Sequence, residues 1–306
     1  MKYVLITPAH NEEAFIEKTL GSMSAQTLLP ERWIIVDDGS SDRTAEIIQR
    51  YARRFRWIEL VQRPPRLDRD FAGKVHAFNA GLEYVQSLSF DVIGNLDADL
   101  SFEPDYLEFL IRKFAADPRL GVAGTPFTED DGYDTVRDSF EGENHVAGGC
   151  QLFRRRCFED VGGYIPNPAG GIDWIAVTTA RMKGWRTRSF PEKRFHHHRA
   201  LGTAGKNSWA AGFSYGEKDY CLGGSPLWQL FRVAYRTTKQ PMDGLALLFG
   251  YCWAAIRRVK RPVTLDLMRF HRHEQMKKLR AIFSTLLRFE KVNSFRLTAS
   301  KSRIRP

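Results

Sequence analysis

Residues 91–100 read DVIGNLDADL, and no other stretch narrows the fold as far. The first six residues have the length and β-branched content of a buried strand. The run ends in Asp97-Ala98-Asp99, two carboxylates one small residue apart. Two buried anions at a strand's carboxyl end repel each other and lose hydration, so a fold keeps them only with compensating charge. A divalent cation supplies that charge, and hard oxygen ligands suit Mg2+ or Mn2+. In an open α/β sheet the carboxyl ends of the strands are also where ligands bind. An isolated Asp-x-Asp is more often a solvated turn, so the weight falls on what surrounds it.

The surrounding pattern alternates. Residues 2–7 (KYVLIT) predict a strand closed by Pro8, and Asn11-Glu12-Glu13 predicts a helix start, running to about residue 25. A second strand is expected over 32–36, ending in Asp37-Asp38-Gly39-Ser40-Ser41-Asp42, where Ser41 or Asp42 caps a helix to about residue 51. Further strands are expected over 57–61 and 121–124, a Pro-containing loop over 63–74, and helices from about 74 to 86 and from Pro104 to about 115. Strand–helix alternation at this spacing predicts a parallel sheet with helices on both faces. Three strand ends then deliver acids to one edge: Glu12 and Glu13, Asp37 and Asp38, Asp97 and Asp99. Each set alone is an ordinary helix-start decoration; together they describe a polar cleft able to hold a metal.

Two nucleotide signatures fail. No GxGxxG follows the first strand, which argues against a dinucleotide-binding enzyme. Gly73-Lys74 is no Walker A, because Asp68 stands where Gly is required and Val75 where Ser or Thr is required.

The series PAHNEE, VDDGSSDRT, GKVHAFNAGL and NLDADLSFEPDYLE resembles the family 2 glycosyltransferases over roughly residues 1–200. That resemblance implies a GT-A fold: a mostly parallel α/β sheet flanked by helices, here with a C-terminal helical extension. It divides the chain into a catalytic domain over 1–200 (nucleotide-sugar half 1–125, acceptor half 126–200) and an extension over 201–306. It also implies inverting transfer of a sugar from a nucleotide-sugar donor. By the same resemblance Pro8, Ala9 and Glu12 line the nucleoside pocket, and Asp37 and Asp38 bind the base edge and ribose. Lys74 lies near the nucleotide, Asp97 contacts the ribose or metal region, and Asp99 ligates the metal that bridges the diphosphate. A divalent ion suits the chemistry, because negative charge builds on the leaving diphosphate as the glycosidic bond breaks.

A second cluster runs over residues 148–185, with a strand expected over 149–153, a short helix over 154–159 and a longer one over 172–183. The family places its general base as the second residue of an acidic pair just before that longer helix. Here the residue is Asp173, and Ile172 stands where the first acid would be. Asp173 is equally well placed to cap the helix. Phe195-His196-His197-His198-Arg199 follows. Alternate residues of an extended segment face opposite ways, so the three histidines do not share one site. The family often places a metal-ligating histidine here, which makes His196 or His198 a candidate to complete the Asp99 site. A basic, phosphate-binding loop is the other reading.

The chain has 306 residues and a net charge of +10, placed unevenly. From Trp228 onward there are 18 Lys and Arg against 4 Asp and Glu, so the preceding part is mildly acidic and the tail asks for an anionic partner. The Gly- and Ser-rich stretch 202–224 reads as a mobile loop closing over donor or acceptor, and helices are expected over 228–236, 244–258 and 264–289. One reading of these helices is a packed subdomain with a solvated basic face. The other is an interfacial anchor on anionic lipid, where an acceptor on a polyprenyl diphosphate would be found. Nucleic acid is not an expected partner, since no recognised motif accompanies the charge. The longest apolar stretch, about 13 residues from Gly244, is short of a membrane span. No signal pattern opens the chain, and four cysteines without paired spacing read as reduced thiols. The expectation is a cytoplasmic enzyme, peripheral on the inner membrane face. The QxxRW motif of processive synthases is absent, which implies one sugar per encounter. The sequence reading is a metal-dependent transferase moving one sugar, UDP-linked by preference, to a glycan or lipid-linked acceptor. Its rivals are a sugar nucleotidyltransferase, which would want a Gly-rich basic loop after the first strand, and a non-catalytic nucleotide-sugar or membrane-binding module.

Overall fold

The apolar runs of the first half form strands of one seven-stranded sheet in a computed structural model, which describes residues 1–64, 71–139, 141–168, 170–199, 208–289, 292 and 295. The first elements are β1 (Tyr3–Ala9), α1 (Ile16–Ser24), β2 (Arg32–Asp37), α2 (Thr44–Arg54), β3 (Ile58–Gln62), α3 (Phe71–Glu83), β4 (Val92–Leu96) and β5 (Leu100–Phe102). There follow α4 (Tyr106–Ala116), β6 (Leu120–Gly124), β7 (Phe127–Glu129), α5 (Thr135–Asp138), β8 (Cys150–Arg154), α6 (Arg155–Val161), α7 (Ile172–Met182), β9 (Arg186–Ser189) and β10 (Phe195–His197). Four helices close the series: α8 (Ser208–Cys221), α9 (Pro226–Lys239), α10 (Pro241–Ile256) and α11 (Leu265–Leu287).

The chain divides into two compact units. The first comprises Met1–Thr135, His145–Pro168 and Ile172–Arg199. Its large sheet has the order β3-β2-β1-β4-β8-β6-β9, with every neighbour parallel except β8, which runs antiparallel to β4 and β6. The expected parallel sheet is therefore mixed at one strand. Alternating side chains of the central strands feed two cores. Tyr3, Leu5, Trp33 and Ile35 pack on one face with Ile16, Leu20, Leu107 and Phe114; Val4, Ile6, Ile34 and Val36 pack on the other with Val75, Phe78 and Val177. A second sheet, β5-β10-β7, stands at the carboxyl end of β4, because β5 follows β4 after only Asp97-Ala98-Asp99.

Element bounds differ from the sequence reading where local chemistry does. Asn11 does not start α1: its φ is 54°, and its Oδ1 accepts from Ser41 N at 2.9 Å while its own N–H donates to Ser40 Oγ at 2.9 Å. It ties the loop after β1 to the loop after β2, and α1 begins only at Ile16. Asn tolerates this left-handed conformation better than most residues. In the loop expected over 63–74, residues 65–70 lie outside the described residues, and α3 already begins at Phe71.

The second unit comprises Val136–Asn144, Ala169–Gly171 and Ala200–Pro306. Of the mobile loop expected over 202–224, residues 202–207 lie outside the described residues, and most of the rest is helix α8. Its glycines serve packing. A Cβ on Gly212 would lie 2.9 Å from the Ala246 Cβ, one on Gly216 would meet the Leu247 carbonyl, and one on Gly250 of α10 would meet the Phe213 carbonyl. Small residues at four-residue spacing on both helices let the backbones approach. No helix among the described residues is long and apolar enough to cross a membrane. All four cysteines are free, and only Cys252 is exposed.

Candidate functional site

The acids predicted at the strand ends come from adjacent strands. Ala9 pairs with Asp37 and Pro8 with Val36, so the ends of β1 and β2 lie side by side. Asp37 is buried and its Oδ1 accepts from Ser40 N at 3.1 Å, which shapes the turn. Asp38 N–H donates to Ala9 O at 2.8 Å, and the Asp38 carboxylate pairs with Arg63 just beyond β3. Glu12 is buried, its N–H donates to Thr44 Oγ1 at 2.7 Å, and its carboxylate pairs with Arg199.

β4 supplies the other half. Asp97 N–H donates to Gly149 O at 2.7 Å, and its Oδ1 accepts from Lys74 Nζ at 2.6 Å and Asn95 Nδ2 at 3.0 Å. Lys74 stands on α3; burial opposes its charge, but Asp97, then Asp173 and Asp99, hold its pKa above the ordinary lysine value. Asp173, in the first turn of α7, has Oδ2 accepting from Gly148 N–H at 3.1 Å. Gly148 O in turn accepts from Asn95 Nδ2 at 2.6 Å, so Asp173 and Asp97 are tied through one short loop.

Asp99 is buried, and its partners come from β10. In the antiparallel pairing of β10 with β5, His197 stands opposite Leu100, and His198 N–H donates to Asp99 O at 2.9 Å. His197 Nε2 lies 3.4 Å from Asp99 Oδ1, its Nδ1 lies 3.5 Å from Glu129 Oε1, and Arg199 Nε lies 3.5 Å from Asp99 Oδ2. Burial works against the Asp99 charge, but His197, Arg199 and Lys74 outweigh it and hold the carboxyl below its ordinary value. Burial likewise works against the imidazolium of His197, yet Asp99, Asp97 and Glu129 hold its pKa above the usual histidine value.

Strand parity decides which histidine faces the acids. Phe195 and His197 point to the buried side; His196 and His198 point to the other and join Asp130, with His196 Nε2 at 2.8 Å from Asp130 Oδ1. His197, rather than the expected His196 or His198, shares a site with Asp97 and Asp99. Burial, Lys18 and His196 hold the His198 pKa below its ordinary value. The sequence signal for this was the bulky Phe195, which marks 195 and 197 as the core-facing positions. Arg199, Glu129 and Asn95 had no sequence-level signal of their own.

One donor atom each from Asp97, Asp99 and His197 lies within 4.8 Å of the others. Asp99 Oδ1 is buried with no hydrogen bond; the His197 imidazole at 3.4 Å is the group that faces it, at a distance that leaves its lone pairs open to a metal ion. Two carboxylates and an imidazole are an apt donor set for a divalent ion, and the imidazole favours Mn2+ over Mg2+.

The family description "Glycosyl transferase family 2" matches residues 4–162, just over half of the chain. Poly-beta-1,6-N-acetyl-D-glucosamine synthase of Staphylococcus aureus (strain COL) is 34% identical over 120 residues, 38% of this chain and 26% of that protein. The chain thus spans about a quarter of the length of the curated relatives it matches. Among solved structures, mannosyltransferase PcManGT from Pyrobaculum calidifontis, in complex with GDP-Man and Mn2+, aligns with a TM-score of 0.56 at 20% identity, over 93% of this chain and 80% of that one. S. aureus TarS 1-349 in complex with UDP-GlcNAc aligns with a TM-score of 0.54 at 16% identity, over 71% of this chain and 65% of that one. These two likenesses show a shared fold, the GT-A sheet with a helical C-terminal region.

Proposed function

The chain belongs to glycosyl transferase family 2, and from that premise we propose that it moves one sugar from a nucleotide-sugar, with inversion, to a glycan or lipid-linked acceptor. The observation that carries the reading is the convergence of Asp97, Asp99, Lys74 and His197 at the end of β4, with Asp173 within electrostatic reach of Lys74. Glu12, Glu129 and Arg199 surround this cluster with further acids and a cation, as a diphosphate with a divalent ion requires. A uridine-linked donor is the preferred one, as in the UDP-GlcNAc complex of TarS; the PcManGT complex holds GDP-Man, so the test below sets the two nucleotides against each other. The Staphylococcus aureus relative is a poly-beta-1,6-N-acetyl-D-glucosamine synthase, which supports a setting in polysaccharide or glycolipid assembly.

In this reading Pro8, Ala9, Glu12, Asp37 and Asp38 hold the nucleoside, and Lys74 faces the diphosphate. Asp97, Asp99 and His197 hold Mn2+ or Mg2+, which when bound stabilises negative charge on the leaving diphosphate. Asp173 accepts the proton of the acceptor hydroxyl as its oxygen attacks the anomeric carbon. The new carbon–oxygen bond forms opposite the breaking bond to the diphosphate, and the configuration inverts. Gly148 N–H keeps one Asp173 oxygen oriented while the other remains for the hydroxyl. The basic C-terminal helices hold the enzyme at an anionic membrane surface, the inner face of the cell membrane, where a polyprenyl-linked acceptor would reside.

The test is thermal stabilisation by UDP-, GDP- and dTDP-sugars, each with and without Mn2+. The expected result is a metal-dependent shift with one nucleotide class. No shift with any donor would overturn the reading in favour of a non-catalytic module.

A further inference from the structure

The second unit has an apolar helix face that its own packing leaves in solvent. On α10, Gly244, Ala246, Leu247, Gly250 and Ala254 are buried, and glycines of α8 and α10 bring those two helices close. On the opposite side Met242 is 63% exposed, Leu245 41%, Phe249 56%, Trp253 45% and Ile256 78%. These positions recur at three- and four-residue spacing, which places them within about a quarter of the helix circumference. Single exposed leucines are ordinary; a continuous stripe of five large apolar side chains marks an interaction surface.

Charge indicates what covers it. The Arg257 guanidinium lies over the Trp253 ring at 4.5 Å, and Arg258, Lys260 and Arg261 follow directly. The only acid on α10 is Asp243, in its first turn. An apolar stripe whose last turn carries an indole under a guanidinium, with further cations beyond, suits a boundary between hydrocarbon and phosphate headgroups. A water-filled surface offers such a stripe nothing.

We infer that α10 is the element that enters the membrane, lying flat in an anionic phospholipid surface with Met242, Leu245, Phe249, Trp253 and Ile256 among the acyl chains. The inference rests on the membrane reading of the basic C-terminal segment and narrows it from a charged region to one helix face. At 16 residues α10 is about 24 Å long, so it lies in the interface and does not cross it. The surplus of 18 cations over 4 acids from Trp228 onward draws the unit to the surface, and the stripe holds it there.

Cys252 offers a native probe, since it is the one exposed cysteine and sits on α10 among these residues. A polarity-sensitive fluorophore on Cys252 of the full chain is titrated with vesicles of phosphatidylglycerol and phosphatidylcholine, and with phosphatidylcholine alone. The expected results are a blue-shifted emission with the anionic vesicles and weak binding to the neutral ones. In the variant Phe249→Ser with Trp253→Ser, partitioning falls by about tenfold or more, as loss of two aromatic anchors requires. Vesicle binding without a change at Cys252, or equal partitioning of the variant, overturns the inference and leaves charge alone as the tether. A concentration-dependent dimer without vesicles, lost in the same variant, also overturns it and makes the stripe a protein interface. Thermal stabilisation by the nucleotide-sugar, measured on the same variant, shows that it is folded; that measurement stands or falls with the transferase reading and not with the membrane one.

Discussion

Replacing Asp173 by Asn separates the proposed chemistry from the architecture around it. The side chains have the same shape, and an amide oxygen can still accept from Gly148 N–H, now at 3.1 Å from Asp173 Oδ2. The loop that links Asp173 through Gly148 and Asn95 to Asp97 therefore stays in place. What disappears is the basic oxygen, so the acceptor hydroxyl must lose its proton unaided. General-base assistance is worth about 10²- to 10⁴-fold, or roughly 3–5 kcal/mol in the barrier. Lys74 keeps its direct contact with Asp97 at 2.6 Å, so donor affinity should change little. The assay is release of nucleoside diphosphate from the donor that gives the largest thermal shift, with water as surrogate acceptor, beside a titration of donor affinity. The expected outcome is a rate lower by two orders of magnitude or more at nearly unchanged affinity. A variant as fast as the parent, or one whose rate falls only in proportion to donor affinity, would refute the base assignment.

Other consequences follow from individual contacts. A Cβ on Gly148 would lie 2.9 Å from Asp173 Cβ and 3.1 Å from its Oδ2, so Gly148→Ala should displace the carboxylate and slow turnover by about tenfold to a hundredfold; an unchanged rate would show the fit to be loose. A Cβ on Gly81 would lie 2.7 Å from Ile6 Cγ2 and 3.0 Å from Val36 Cγ2. Gly81→Ala should therefore cost about 1–3 kcal/mol of overpacking against a gain of ~1 kcal/mol in helix propensity, read as a lower denaturation midpoint. Asp42 resists ionisation through burial, but hydrogen bonds from Thr44 and Glu13 prevail and hold its carboxyl below its ordinary value. A depressed folded-state pKa gives stability that is present above the unfolded value and lost as pH falls through the folded one. Asp42→Ala should thus destabilise by about 1 kcal/mol at pH 7, with the gap to the parent narrowing below the ordinary value of 3.8. A gap that persists unchanged in acid would show that the charge is not what stabilises the turn.

Much of the catalytic half was legible because it rests on short-range pattern. Apolar runs such as residues 3–6 and 33–36 are buried on both faces of the sheet, and they read as strands without further help. Asp97 and Asp99 were visible as a pair since a strand's end fixes where they go. His197 was harder: the rule that alternate side chains diverge was available, but only the packing of Phe195 against the core sets the parity. The antiparallel course of β8 had no local signature, because its residues would suit either direction. In residues 208–221 composition misled. Gly212 and Gly216 read as flexibility, while in the fold they make room for α10, a contact thirty residues away in sequence. Arg199 falls in the same class, since its pairing with Glu12 spans 187 positions of the chain.

In the proposed mechanism Asp99 is the residue that makes donor cleavage depend on a metal. The direct measurement is nucleoside diphosphate release from the preferred nucleotide-sugar, over a Mn2+ titration, by the parent and by Asp99→Asn. The parent is expected to need Mn2+, and the variant to release at least about a hundredfold less at every Mn2+ concentration. Release by the variant at the parent's rate, or release by the parent that is indifferent to the metal after chelation, would contradict this mechanism.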